Sequence, residues 1–126
     1  MAKSYYQNAL DYEGTPYLSG GMSKNGIDCS GLVNAATEQK TRVWSTSMGD
    51  PPGDWTRVCA PATSPDDFLT QVKQGDLFLW EGHTAFYAGD SKLFHARRAG
   101  TVVGYTSDLK VYWLKEKGFP KVYRQV

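Results

Sequence analysis

One cysteine stands between a carboxylate and a hydroxyl in Gly26-Ile27-Asp28-Cys29-Ser30-Gly31-Leu32-Val33, and two histidines, His83 and His95, follow far downstream. A thiolate is a strong nucleophile, and an imidazole is well suited to take its proton near neutral pH. A cysteine followed by a histidine, distant in sequence but adjacent in space, is the arrangement that nucleophilic thiol catalysis needs. Asp28 is a good helix N-cap and Gly26 a good turn residue, so Cys29 is expected in the first turn of a helix. There the unpaired N–H groups and the positive end of the helix dipole favour an anion, which predicts a thiol that ionises easily. His83 is expected to take the thiol proton. His95 is expected to bond the other ring nitrogen of His83 and fix its tautomer.

Simpler readings compete. Cys29 alone suits a small buried hydrophobe, and Asp28 alone is a cap. One cysteine, two histidines and Asp28 would also make a zinc set, although the short paired spacings of zinc sites are missing. The Gly-rich loop, the Asp-Cys-Ser-Gly run and the two histidines together favour nucleophilic catalysis with no metal and no cofactor.

The elements that must hold these residues can be read in order. Ser4 to Tyr12 has helical spacing and ends before Gly14. Thr15 to Asn25 is a turn-rich loop in which Gly20-Gly21 allow close backbone approach to Cys29, with Tyr17 laid over it. The Asp28 helix should run to about Glu38, burying Leu32, Val33, Ala35 and Ala36. From Gln39 to Ala62 the pattern dissolves, which predicts an irregular insertion, either walling a groove or anchored to the core by Trp44 and Trp55. Ser64-Pro65-Asp66-Asp67 starts another helix. Period-two patterning then predicts strands at Leu77–Trp80, Thr84–Ala88, Lys92–His95 and Thr101–Tyr105. Two more are expected at Val111–Leu114 and Lys121–Arg124. In an antiparallel meander the start of one strand lies beside the end of the next, so both imidazoles reach one sheet edge. Helices first and strands afterwards argue an α+β fold, with N-terminal helices packed on an antiparallel sheet of about five or six strands.

The 126 residues make one domain, spanning 1–126. A net charge of +1 gives no reason to expect nucleic acid, and no apolar run reaches the length of a membrane span, so no membrane partner is expected. With Cys29 as nucleophile, Cys59 is left as a free thiol. The start, Met1-Ala2-Lys3-Ser4-Tyr5-Tyr6, leads into no apolar signal core, so the chain is expected either to work where it is made or to be exported without a cleaved signal.

These residues resemble the NlpC-type cell-wall peptidases, which have a compact papain-like fold. Tyr17-Leu18-Ser19-Gly20-Gly21 is similar to the family's Tyr-x-x-Gly-Gly, and Asp28-Cys29-Ser30-Gly31-Leu32-Val33 to its nucleophile motif. Gly75-Asp76-Leu77-Phe78 leading to Gly82-His83 is similar to its Gly-Asp-Leu strand and histidine, and Leu93-Phe94-His95-Ala96 to the strand carrying the third catalytic residue. Ser19 departs from the family's usual aromatic, and Thr84-Ala85 from its aliphatic residue followed by Gly or Ala.

The resemblance implies a cysteine endopeptidase, or amidase, with catalytic Cys29, His83 and His95. It implies hydrolysis of an amide in peptidoglycan stem peptides, either the γ-D-glutamyl–diamino acid bond or the D-Ala–diamino acid cross-bridge. By the same resemblance Tyr17, Asp28 and Ser30 line the substrate pocket, with Asp28 pairing a substrate ammonium and Ser30 holding a carboxylate. Arg97 and Arg98 would either attract acidic stem peptides or form a solvated basic turn. The expected setting is the periplasm or wall of a target bacterium. One route is delivery as a type VI secretion effector, with a cognate immunity protein plugging the cleft of a monomer. A phage-type lysin or wall-remodelling hydrolase, a papain-like acyltransferase and a non-enzymatic wall-binding module are the alternatives.

Overall fold

The computed structural model describes residues 4–59 and 61–126. The first three residues, part of the stretch read for a signal, and residue 60, inside the irregular segment, lie outside it. Helix α1, Tyr5–Leu10, is capped by Ser4, whose hydroxyl accepts from Gln7 N–H. A small hairpin, β1 (Met22–Ser23) and β2 (Gly26–Ile27), leads into helix α2, Cys29–Ala36. Strand β3 (Trp55–Val58) precedes α3 (Pro65–Gln71), which starts as the Ser64-Pro65 signal predicts, with Asp67 N–H donating to the Ser64 hydroxyl. Strands β4 (Leu77–Trp80), β5 (His83–Gly89), β6 (Lys92–His95) and β7 (Gly104–Thr106) follow. A π-helix, Leu109–Lys117, and strand β8, Lys121–Gln125, complete the chain.

Strands β3 to β8 form a six-stranded sheet in the order β3-β8-β4-β5-β6-β7, antiparallel at every pairing. This is the α+β, papain-like architecture expected. All of Leu77–Trp80 is buried because both faces of β4 are covered. Leu77 and Leu79 join the core built with Tyr6, Leu32 and Val33, on the side of α1 and α2. Phe78 and Trp80 join Phe68, Leu109 and Trp113, on the side of α3 and the π-helix. An alternating strand buried on one face would read differently. A uniformly apolar run is the mark of a middle layer.

Two expectations need correcting. Val111–Leu114 is not a strand but the middle of the π-helix, in which Leu109, Trp113 and Leu114 are buried and Val111 is exposed. β-branched and aromatic residues suggested a strand there, but burial of Trp113 and Leu114 against the second core decides the local form. The stretch from Gln39 to Ala62 is not wholly irregular, since Trp55–Val58 pairs with β8 as an edge strand.

Register places the histidines. Phe86 pairs with Phe94, so one further step puts His95 opposite Ala85 and makes His83 its diagonal neighbour on the same face. On β7, Thr106 pairs with Leu93 and is in turn diagonal to His95. Three adjacent strands therefore deliver His83, His95 and Thr106 in a row.

Candidate active site

Asp28 caps α2, its Oδ1 accepting from Gly31 N–H at 2.8 Å, and Cys29 is the first residue of the helix. Gly20 N–H donates to Asp28 Oδ2 at 2.7 Å, and Asp28 N–H donates to Gly21 O at 3.3 Å, so the preceding loop folds onto the cap. This approach requires glycine: a Cβ on Gly31 would lie 1.9 Å from Gly21 O. The expectation of close backbone approach thus has a concrete form. Tyr17 is held nearby through a bridge to Ile27. The charges of Cys29 and Asp28 help to raise its phenol pKa, after burial, the larger cause.

Helix α2 packs against β5, and the Cys29 sulfur faces the backbone N–H of Thr84, the residue after His83. His83 Nε2 and His95 Nδ1 are hydrogen-bonded at 2.7 Å, and both rings are buried. His83 spends Nε2 on His95, so Nδ1 is the ring nitrogen it has left for a thiol proton. Trp113 from the π-helix stacks on His83, with ring centroids 4.6 Å apart and planes at 18°, and meets His95 edge-on. This packing fixes the imidazole plane.

The electrostatics differ from the sequence expectation. Burial is the largest influence on Cys29 and pushes its thiol up. The N–H groups of Thr84 and Ser30 and the Arg42 charge pull it down, while the Asp28 charge adds to the rise. Helix-terminus stabilisation does not win here, because burial outweighs it and the capping carboxylate beside the thiol adds to the rise. Burial and the Arg97 charge lower His83 to about 4, against a smaller upward pull from Asp108. Burial, His83 and Arg97 lower His95 to about 3, again with Asp108 opposing. Burial thus favours the uncharged form of the thiol and of both imidazoles.

Arg42 is the residue that sequence reasoning missed. It comes from the segment after α2 and grips Asp28 through two N–H groups, Nη1 to Oδ1 at 2.9 Å and Nη2 to Oδ2 at 3.1 Å. Nη1 also donates to Gly21 O at 3.3 Å, and Nη2 to the Ser30 hydroxyl. Burial works against the Asp28 charge, but Arg42 and the N–H groups of Gly20 and Gly31 outweigh it and hold the carboxyl below its ordinary range. The carboxylate expected to meet a substrate ammonium already has a cation of its own.

Beside His83 opens a groove of about 310 Å³, lined by Arg97, Arg98, Lys117, Tyr112 and Trp113, with Glu81 among its lining residues. A larger cavity of about 420 Å³ is lined by Tyr6, Asp76 and Arg124 and touches neither Cys29 nor the histidines, so its size does not make it the site. Among the described residues, no three His, Cys, Asp or Glu side chains converge as a metal cluster. Cys59 is a free thiol that hydrogen-bonds Gln71 O at 3.9 Å, far from this chemistry in the fold: its groove is lined by Phe68, Phe119 and Val122.

A family model described as the NlpC/P60 family matches residues 14–119. The chain belongs to the NlpC/P60 family. It is 32% identical over 101 residues to Dipeptidyl-peptidase 6 of Lysinibacillus sphaericus, covering 80% of this chain and 34% of that protein. It is 31% identical over 114 residues to a probable endopeptidase of Haemophilus influenzae, covering 83% of this chain and 64% of the relative. The chain thus spans about a third of the first relative's length and under two thirds of the second's. Among solved structures, the NlpC/P60 domain of the peptidoglycan hydrolase SagA is 26% identical with a TM-score of 0.61, covering 98% of this chain and 97% of that one. As an NlpC/P60 domain, the chain carries its Asp28-Cys29, its Gly82-His83 and its His95 within the matched residues.

Proposed function

We propose that this NlpC/P60 domain is a cysteine peptidase that hydrolyses an amide in peptidoglycan stem peptides, with the γ-D-glutamyl–diamino acid bond as its target. The observation that carries the reading is the buried His83–His95 hydrogen bond directly beside the residue whose N–H faces the Cys29 sulfur. Family membership and the likeness to a probable endopeptidase support the same chemistry.

The thiol proton passes to His83 Nδ1 as Cys29 Sγ attacks the scissile carbonyl carbon. Because both groups start neutral, proton transfer and attack are coupled, and no standing thiolate–imidazolium pair is required. The Cys29 backbone N–H, free at the helix start, is placed to steady the oxyanion. Collapse breaks the C–N bond, and the leaving amine takes the proton from His83. Water then gives a proton to His83 and attacks the thioester, releasing the acid and restoring the thiol. Tyr17, Ser30 and the Asp28–Arg42 pair border the acyl side in this reading. The basic groove with Arg97, Arg98 and Lys117 takes carboxylates of the acidic peptide. In this reading the protein acts at the bacterial wall.

The test is digestion of purified sacculi by the native protein and by Cys29→Ala, with fragments identified by mass. Expected is release of peptides with a new γ-D-glutamyl carboxylate by the native protein alone. Equal, negligible release by two folded proteins would refute hydrolysis. Fragments ending in D-Ala would move the cut to the cross-bridge, and a new amide would mean acyl transfer.

A further inference from the structure

His95 does not end the chain of polar contacts. Its Nε2 lies 2.9 Å from the Thr106 hydroxyl. Burial pushes the Asp108 carboxyl up, but Arg97 and, less strongly, the Thr106 hydroxyl outweigh it and hold the carboxyl below its ordinary range. Arg97 Nη1 anchors one carboxylate oxygen, Asp108 Oδ2, at 2.5 Å. The other, Oδ1, is buried with no hydrogen-bond partner among the described residues, and the Thr106 hydroxyl is a donor within reach of this carboxyl. The strand register described above is what brings His83, His95 and Thr106 into one row.

The proton positions along this row allow only two consistent patterns while both rings are neutral. In one, the Thr106 hydroxyl points at Asp108, accepts from His95 Nε2–H, and leaves His95 Nδ1 to accept from His83 Nε2–H. His83 Nδ1 then carries a lone pair and can take the thiol proton. In the other, the hydroxyl points at His95 and every proton moves over by one place. His83 Nδ1 is then protonated and cannot act as a base. A carboxylate only accepts hydrogen bonds, so an ionised Asp108 selects the first pattern.

We propose that Thr106 and Asp108 are positioning residues that extend the Cys29–His83–His95 set and hold both imidazoles in the tautomer that leaves His83 Nδ1 free. This rests on the reading of Cys29 and His83 as nucleophile and base, but not on the substrate. The groups facing the two rings are Trp80 from β4, Arg97 from the segment after β6, Thr106 and Asp108 around the end of β7, and Trp113 from the π-helix, while Cys29 from α2 meets the N–H of Thr84, next to His83.

The test needs no peptide. In a Cys59→Ser background, ¹⁵N-histidine-labelled protein is examined at neutral pH by long-range ¹H–¹⁵N correlation, and the rate of Cys29 alkylation by iodoacetamide is followed against pH. The starting protein is expected to carry both ring protons on Nε2. In Asp108→Asn the Arg97 bond is expected to hold the amide oxygen, leaving the NH₂ to donate to Thr106. The hydroxyl then turns, both rings shift to Nδ1–H, and alkylation slows by about tenfold. Thr106→Val, of the same shape, is expected to mix the tautomers and flatten the pH profile, while Thr106→Ser restores both. Nε2–H on both rings of Thr106→Val, with an unchanged alkylation profile, would overturn the proposal. So would Nδ1–H on His83 in the starting protein. Should Asp108→Asn fail to fold, the Val and Ser pair at Thr106 decides alone.

Discussion

Two aspartates, Asp28 and Asp76, are each gripped by an arginine through two N–H groups, but the two pairs sit in different parts of the molecule. Arg124 bonds Asp76 through Nε at 2.8 Å and Nη2 at 2.7 Å, and Lys73 N–H adds a third donor. Both ends of that pair belong to the sheet: Asp76 closes the turn into β4, and Arg124 lies on β8 beside it. In the Asp28 pair, one partner caps the helix that carries Cys29, and the other, Arg42, comes from a segment without regular structure. The same bidentate contact is therefore a strut in one place and a control on charge beside the nucleophile in the other. Fold stability should depend more on the first, and substrate preference more on the second.

Arg124→Met gives the largest expected stability loss, because it leaves a nearly inaccessible carboxylate without its cation. A loss of about 3 kcal/mol is expected in urea unfolding, with activity per folded molecule unchanged. Gly31→Ala tests the other region by pushing its Cβ against Gly21 O. It is expected to cost about 2 kcal/mol and, unlike Arg124→Met, to lower activity per folded molecule as well. Arg42→Ala should cost about 1 kcal/mol in unfolding. It exposes the Asp28 carboxylate, so hydrolysis of peptides with a free amine near the cut should gain about fivefold over N-acetylated ones, or roughly 1 kcal/mol. An unchanged ratio would separate Asp28 from substrate charge.

Acid distinguishes the histidines from these pairs. His83 and His95 titrate near 4 and 3 when folded but near the ordinary 6.5 when unfolded. The unfolded chain thus binds more protons, and stability falls as pH drops from 6.5 toward 4. A decrease in Tm of more than about 10 °C across that window is expected. His83→Gln and His95→Gln should each flatten it. The contribution of Asp28 is present above the ordinary carboxylate value and is lost only as pH falls below it, through the lowered folded value. Cys59→Ser gives the smallest effect: no change in activity or in the site's pH response.

Much of the site was legible because short-range chemistry specifies it. Asp28 as a cap fixes Cys29 at a helix start, and Ser64-Pro65 marks α3 in the same way. The strand rhythm around His83 and His95 places them on neighbouring strands. What stayed hidden depends on partners far away or on energies with no sequence signature. Arg42 lies in a stretch with no period, and its role appears only when the chain folds back onto Asp28. Trp55–Val58 is only four residues long and is ordered by β8 from the other end of the chain. Val111 to Leu114 has strand-like residues, but a π-helix is set by how Trp113 packs over the imidazoles. The thiol's protonation was misjudged because the helix start is visible in sequence, whereas the depth at which it is buried is not.

The indole of Trp113 lies flat against the His83 ring, close enough for the two π-systems to interact electronically. A charged imidazole quenches an excited indole far more strongly than a neutral one. This protein therefore contains its own optical indicator of the base's charge state. Against a Trp113→Phe blank, the emission would follow the imidazole's proton in real time during acylation, with no label attached.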